Sequence, residues 1–257
     1  MKRIRTKMFL YDWKQNCVFY AVEILFSWIE LFFFCNQDIV LYSYGSYCSK
    51  ADYFIRLLRP TAYSILNLIF VIFAAYQSIK NDFNVQRIIR FKSKKDLVLF
   101  QEIKLIFISL LFTITYTIGI FTISMTEVST LINWDRADSV YWLETQTVIA
   151  NVTFEKVILF FVVITFIRNF LFANIIVLSS WIFRNRIIGV LAVFSIIVFE
   201  MRQASVKVLL WLFTLDYPVW ESSMRKMEMV IGIICYAIIG FIVIKKLCRS
   251  KEFIGER

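Results

Sequence analysis

Long apolar runs alternate with short charged segments along this sequence. The clearest run extends from Leu105 to Ile123 without a charged residue. At about 1.5 Å of rise per residue, about 19 helical residues cross a hydrocarbon core of about 30 Å. Five further runs have a similar character, so the pattern predicts six transmembrane helices. They cover approximately residues 17–34, 61–79, 105–123, 157–183, 187–199 and 229–244.

Two other parts of the pattern predict helices that do not cross the membrane. Residues 1–16 interleave basic and apolar side chains, which is typical of an amphipathic helix lying at the membrane interface. The fifth run, residues 187–199, is short for a span, and polar residues separate it from another short apolar piece, 208–215. Half-length pieces of this kind predict re-entrant helices before the last span. We expect a single transmembrane domain over residues 1–257.

Composition supports an all-α, polytopic membrane protein. Hydrophobic residues make up 60% of the 257 residues and the mean hydropathy is +0.69, so a soluble domain of this length could not bury the apolar surface. Only two prolines and six glycines are present, which leaves little for long loops. Most of the chain should therefore form helices that satisfy their own backbone hydrogen bonds.

Basic residues, which give the chain a net charge of +10, lie at the ends of the apolar runs. Dense basic segments precede residue 105 and follow residue 244. Because Lys and Arg accumulate on the cytoplasmic side, where they meet anionic lipid, both termini are expected in the cytoplasm. This placement explains the charge without nucleic-acid binding, which we do not expect.

The sequence offers little catalytic chemistry. It has no histidine, no phosphate-binding loop, no dinucleotide fingerprint and no closely spaced cysteine pair, so we expect neither an enzyme nor a resident metal or cofactor. Cys35 and Cys48 share a predicted external loop, residues 35–60. They either form a disulfide or remain two small thiols. Cys248 is expected on the cytoplasmic side.

Three charged residues, Glu23, Glu30 and Arg168, fall within predicted spans. A charge in the middle of a membrane costs at least about 2.5–3.5 kcal/mol, so each should have a partner or line a polar path. The predicted depths allow an ion pair between Arg168 and either glutamate, within one chain or between subunits. Three roles stay open: packing of the bundle, contact with a partner subunit, and a route for protons or substrate.

Three stretches of the sequence resemble a known family. They are RFKSKKDLVLFQEIKLIFISLLFTI, the turn FRNRIIGVL, and YPVW followed by a last span and IKKLCRSKEFIG. Together they are similar to the six-helix permease subunits of bacterial type-2 ABC exporters, particularly Gram-positive exporters of antimicrobial and lantibiotic-type peptides. The resemblance implies a second permease, identical or homologous, and a separate ATP-binding cassette subunit that binds ATP and Mg²⁺.

The same resemblance implies a location in the bacterial cell membrane and a docking loop for the ATPase between the second and third spans. The docking residues in that loop are Arg87, Arg90, Phe91, Lys92, Lys94, Lys95 and Leu97. A basic loop bound to lipid is the alternative role for this segment. For the whole chain, the alternatives are a membrane scaffold or sensor subunit and an intramembrane enzyme, which the missing histidine argues against.

Overall fold

A computed structural model describes residues 2–37, 48–82, 88, 91, 93–183, 185–202 and 209–249. In these ranges the regular secondary structure is entirely helical. The helices are α1 (Lys2–Gln37), α2 (Lys50–Leu57), α3 (Pro60–Tyr63), a π-helical turn (Ser64–Leu68), α4 (Ile69–Ile79), α5 (Lys94–Glu127), α6 (Val140–Thr145), α7 (Phe154–Phe183), α8 (Arg186–Arg202), α9 (Tyr217–Glu221) and α10 (Ser223–Arg249).

Five described helical segments are long and apolar enough to cross a membrane. They are Thr6–Cys35, Pro60–Ile79, Lys94–Glu127, Phe154–Phe183 and Ser223–Leu247. These segments indicate a multi-pass membrane protein, in agreement with the predicted all-α class. The remaining predicted span, residues 187–199, falls in α8. The 17 residues of α8 extend about 25 Å, which is less than the thickness of the hydrocarbon core.

The structure differs from the sequence prediction on both sides of the first span. The predicted interfacial helix continues without a break into the span, so that both form α1. No proline or glycine occurs between residues 2 and 37, so the backbone has no local reason to end a helix near residue 16. The predicted external loop contains α2, a buried helix that packs against α5 and α7.

The segment between α8 and α10 also differs from the prediction. Residues 209–213, within the predicted re-entrant piece 208–215, form turns, and residue 208 lies outside the described residues. A short helix, α9, follows and begins with Tyr217 and Pro218. Proline at the second position of a helix loses no hydrogen bond, since the first N–H groups have no partner in the helix.

α5 and α7 form the centre of the bundle. α7 packs against α2, α4, α5 and α8, while α5 also contacts α1 and α4. α1 and α10 lie at the periphery, where most of their apolar side chains are exposed. This exposure suits helices that face lipid, because lipid chains solvate apolar side chains as well as a protein core does.

α7 and α8 pack closely at Gly189. A Cβ atom at this position would lie 2.5 Å from the backbone oxygen of Ile176 and 3.0 Å from Oγ of Ser180. Ser180 Oγ in turn donates a hydrogen bond to the Ile176 oxygen at 2.6 Å. Small residues allow membrane helices to approach closely. The missing side chain of Gly189 therefore sets the distance between these two helices.

Candidate functional site

A polar core surrounds Arg168 inside the bundle. The Arg168 side chain is fully buried on α7. Its Nη1 donates a hydrogen bond to the backbone oxygen of Leu58 at 2.8 Å, and its guanidinium carbon lies 3.7 Å from the centre of the Tyr63 ring. A cation over an aromatic face is attracted to the ring, most strongly where water is excluded. A carbonyl and a ring, rather than a carboxylate, therefore hold this charge.

The break between α2 and α3 explains the position of Arg168. Because α3 begins at Pro60, which has no N–H group, the last carbonyls of α2 lack part of their usual helical partners. Tyr116 Oη of α5 donates to the Leu57 oxygen at 2.8 Å, and Arg168 donates to the Leu58 oxygen. Side chains from two neighbouring helices thus cap the end of α2.

A buried amide network continues the polar core beside Arg168. Asn169 Oδ1 accepts hydrogen bonds from Tyr63 Oη and, at 2.9 Å, from Nδ2 of Asn67. Asn169 Nδ2 donates to Oγ1 of Thr113 at 3.1 Å. All four side chains are buried. Since a buried polar group without a partner is costly, the network favours one alignment of α3, α5 and α7.

Arg168 does not contact the glutamates that the sequence suggested as partners. Glu23 is partly buried and Glu30 is exposed on α1. Neither is among the described ion pairs of this chain. The prediction of a pair within the chain is wrong, because α1 lies at the periphery while Arg168 is directed at the α2–α3 break. A pair between subunits stays a prediction.

A second buried cluster joins α1, the end of α4 and α5 on the side predicted to be cytoplasmic. Lys104 Nζ lies 2.6 Å from Oδ2 of Asp82 and 3.3 Å from Oδ2 of Asp12. It also donates to the backbone oxygen of Ser78 at 2.6 Å. The sequence placed Lys104 only in a basic run. Its position directly before the long uncharged run was the available signal that it enters the bundle.

Two of the predicted docking residues, Phe91 and Leu97, are buried. Together with Phe100 they form a cluster that packs against Met8 and Phe9 of α1. Burial of these side chains attaches the loop to α1 and removes them from the surface. They therefore contribute to the packing between this segment and α1, and their part in docking an ATPase stays a prediction.

The basic docking residues have different positions. Lys95 is exposed at the first turn of α5, and Lys94 beside it is partly exposed. Ser93 caps the N-terminus of this helix, since its Oγ accepts a hydrogen bond from the backbone N–H of Asp96 at 3.2 Å. Arg87, Arg90 and Lys92 lie outside the described residues. Docking of an ATPase at Lys94 and Lys95 stays a prediction.

At the opposite end of the bundle, the buried carboxylate of Asp52 joins three segments. Its Oδ2 accepts hydrogen bonds of 2.7 Å from the backbone N–H and the hydroxyl of Ser49, which cap α2. Its Oδ1 accepts bonds of 2.8 Å from Trp134 Nε1 and Tyr217 Oη. Burial raises the pKa of the Asp52 carboxyl, and these hydrogen bonds oppose that shift.

Glu200, at the end of α8, holds the segment that follows. Its buried carboxylate accepts hydrogen bonds from the backbone N–H groups of Leu209, Leu210 and Trp211 at 2.6, 2.8 and 3.1 Å. Trp211 Nε1 donates to the backbone oxygen of Glu200 at 3.0 Å. Sequence analysis missed this role. The sequence did contain a sign of this role, because Glu200 is the one acidic residue between two apolar segments. A single charge in such surroundings needs a nearby partner.

No family model, curated protein or solved structure matches this chain. In the part of the chain that the structure describes, no three Cys, Asp or Glu side chains come together as a metal site requires. Cys35 and Cys48 are both buried, and the disulfide considered from the sequence stays a prediction.

Proposed function

We propose that this chain is the membrane-spanning permease subunit of a bacterial ABC exporter for a peptide or another amphipathic molecule. A separate ATP-binding cassette subunit binds ATP and Mg²⁺, and a second permease, identical or homologous, completes the transporter. The complex lies in the bacterial cell membrane with both termini of the permease in the cytoplasm. The five span-length helices and the basic segments beside them support a multi-pass permease, and both termini lie in the cytoplasm if α8 provides a sixth crossing.

The observation that carries the proposal is the packing of Phe91, between α4 and α5, and of the first turns of α5 against the first turns of α1. Phe91 and Leu97 pack against α1, and Lys104 links Asp12 of α1 to Asp82 after α4. A force applied to this loop by an ATPase would act on α1, α4 and α5 together. Such a connection suits a subunit that converts an external hydrolysis cycle into helix movement.

A sixth crossing by α8 is part of the proposal. α8 packs along α7 after a short turn, and the two helices are in close contact at Gly189, near the start of α8 and the end of α7. A hydrophobic segment shorter than the membrane is accommodated by local thinning of the bilayer at a modest cost. The polar turn held by Glu200 and the short helix α9 then form the re-entrant segment before the last span.

Co-purification of the permease with an ATPase tests the proposal. The permease is purified from its native membrane in a mild detergent, and we expect an ATP-binding cassette subunit to accompany it. Charge reversal at exposed Lys95 should weaken this association, whereas reversal at Lys156, exposed at the start of α7, should not. Absence of any ATPase from the purified protein would reject the proposal, and equal association of the wild type and the Lys95→Glu variant with the ATPase would reject Lys95 as a docking residue.

The alternative function is a non-transport scaffold or sensor subunit. The hydrogen bonds that Asn169 makes with Asn67 and Thr113 favour it, because they direct both polar ends of the Asn169 amide to groups of the chain and not to a passing substrate. Reconstitution of the purified complex into liposomes separates the two functions. ATP-dependent movement of a fluorescent amphipathic peptide supports the exporter, whereas association with an ATPase without any such movement supports the scaffold.

A further inference from the structure

Arg168 has hydrogen-bonding capacity that the polar core does not use. Of its three nitrogens, Nη1 binds the Leu58 oxygen, while one face of the guanidinium covers the Tyr63 ring. Nε and Nη2 are buried and have no hydrogen-bond partner in the part of the chain that the structure describes. A guanidinium stays charged, and leaving its N–H groups unsatisfied in a dry interior costs free energy for each group.

The two unpartnered nitrogens form one edge of the guanidinium. The N–H of Nε and one N–H of Nη2 are parallel in this planar group, at a spacing that matches the two oxygens of a carboxylate. Thr165 lies one turn earlier on the same face of α7, and its buried hydroxyl also lacks a hydrogen-bond partner among the described residues. Two parallel donors with a nearby hydroxyl are the groups that a bidentate carboxylate site requires.

The chain itself places two carboxylates in the electrostatic neighbourhood of Arg168, those of Glu200 and Asp216. The Glu200 oxygens already accept three backbone hydrogen bonds. Asp216 is only partly buried, and the charges of Arg59, Arg225 and Arg168 all act on it. An anionic group near Arg168 is therefore electrostatically favoured, while Glu200 is not available without breaking its own contacts.

We propose that the Nε–Nη2 edge of Arg168 is a binding site for one carboxylate group. The carboxylate comes either from a small acidic molecule that enters the bundle or from Asp216 after a local movement of the segment before α9. Both sources use the same bidentate chemistry. The inference does not depend on the proposed export function, because it rests on the unsatisfied donors of Arg168 and on the charges around them.

The test compares an acidic probe with its uncharged analogue. The purified full-length chain in nonionic detergent is titrated with N-acetylphenylalanine and, separately, with N-acetylphenylalanine amide, and the thermal unfolding midpoint is followed. We expect the acid to raise the midpoint and the amide to leave it unchanged. Arg168→Lys should weaken the apparent affinity roughly tenfold or more, since the second hydrogen bond is lost. Arg202→Lys, on an exposed arginine, is the matched control.

An Asp216→Asn variant distinguishes the two sources and keeps Arg168 intact. If Asp216 fills the site, the variant should bind the acidic probe more tightly than the wild-type protein. If the site receives an external carboxylate, wild type and variant should respond equally. The proposal is wrong if neither protein distinguishes the acid from the amide. That result would leave the two N–H groups of Arg168 to bind water.

Discussion

Lys104 Nζ lies 2.6 Å from Oδ2 of Asp82, and both side chains are at least nine-tenths buried, with side-chain exposures of 5% and 0%. Asp12 of α1 joins the pair at 3.3 Å. One ammonium therefore pairs with two carboxylates, one from α1 and one from the segment after α4. Removing one member of a buried ion cluster destabilises a protein more than replacing the whole cluster by apolar residues does. The reason is that the remaining charges stay buried without a counter-charge.

We expect Lys104→Met to destabilise the protein by about 3–5 kcal/mol, because two buried carboxylates lose their cation. The exposed Lys95→Met is the matched control and should change stability by less than about 0.5 kcal/mol. Equilibrium unfolding in mixed micelles measures both. Adding Asp12→Asn and Asp82→Asn to Lys104→Met should recover part of the loss. No recovery would show that the three charges do not act as a unit.

A second prediction concerns the contact between α7 and α8. Gly189→Ala should cost about 1–3 kcal/mol, because the new methyl group would meet the Ile176 backbone oxygen at 2.5 Å. Gly240→Ala on α10 is the control, since a Cβ there meets no atom within 4 Å. It should be neutral or stabilising by up to about 1 kcal/mol through helix propensity. Equal effects of the two substitutions on the thermal midpoint would contradict the close packing at Gly189.

Tyr141 provides a prediction about pH. Burial, together with its hydrogen bond to Glu221 and the charge of that carboxylate, raises the pKa of Tyr141 to about 12. Unfolding exposes the phenol and returns its pKa to about 10. The stabilising contribution is therefore complete below about pH 10 and is lost as the pH rises from 10 to 12.

Difference titration of tyrosinate absorbance between wild type and Tyr141→Phe measures this pKa. The difference should show one step near pH 12. In a Glu221→Gln background the step should move to lower pH, because the negatively charged hydrogen-bond acceptor is gone. A step that stays in place in that background would remove Glu221 as a cause of the shift.

The orientation of the chain can be tested with single cysteines in a variant that lacks the native ones. Native Cys35 and Cys48 are unsuitable reporters, since both are buried although the sequence predicts them in an external loop. Lys156→Cys should react with an impermeant maleimide in intact cells, and Lys95→Cys only after the membrane is opened. The basic segments predict this result. Reaction of Lys95→Cys in intact cells would reverse or change the proposed topology.

The membrane class and most of the spans could be predicted from the sequence by itself. A helix in hydrocarbon satisfies its own backbone hydrogen bonds, so an uncharged run of sufficient length determines a spanning helix by local physics alone. The run from Leu105 to Ile123 lies within α5 for this reason. The same local pattern singled out Arg168 as a residue that needs a partner, since the cost of a charge within an apolar run does not depend on the rest of the fold.

The partners of the charged residues were decided only by the tertiary structure. Asp52 lies in a loop that the sequence predicts to be external. Its carboxylate accepts hydrogen bonds from Trp134 and Tyr217, which follow it in the chain by 82 and 165 positions. Arg168 donates a hydrogen bond to the backbone oxygen of Leu58, 110 positions earlier, and does not pair with either glutamate of α1. Periodicity and charge report which residues need a partner, whereas the choice of partner depends on which helix faces meet. That choice is a property of packing over the whole chain.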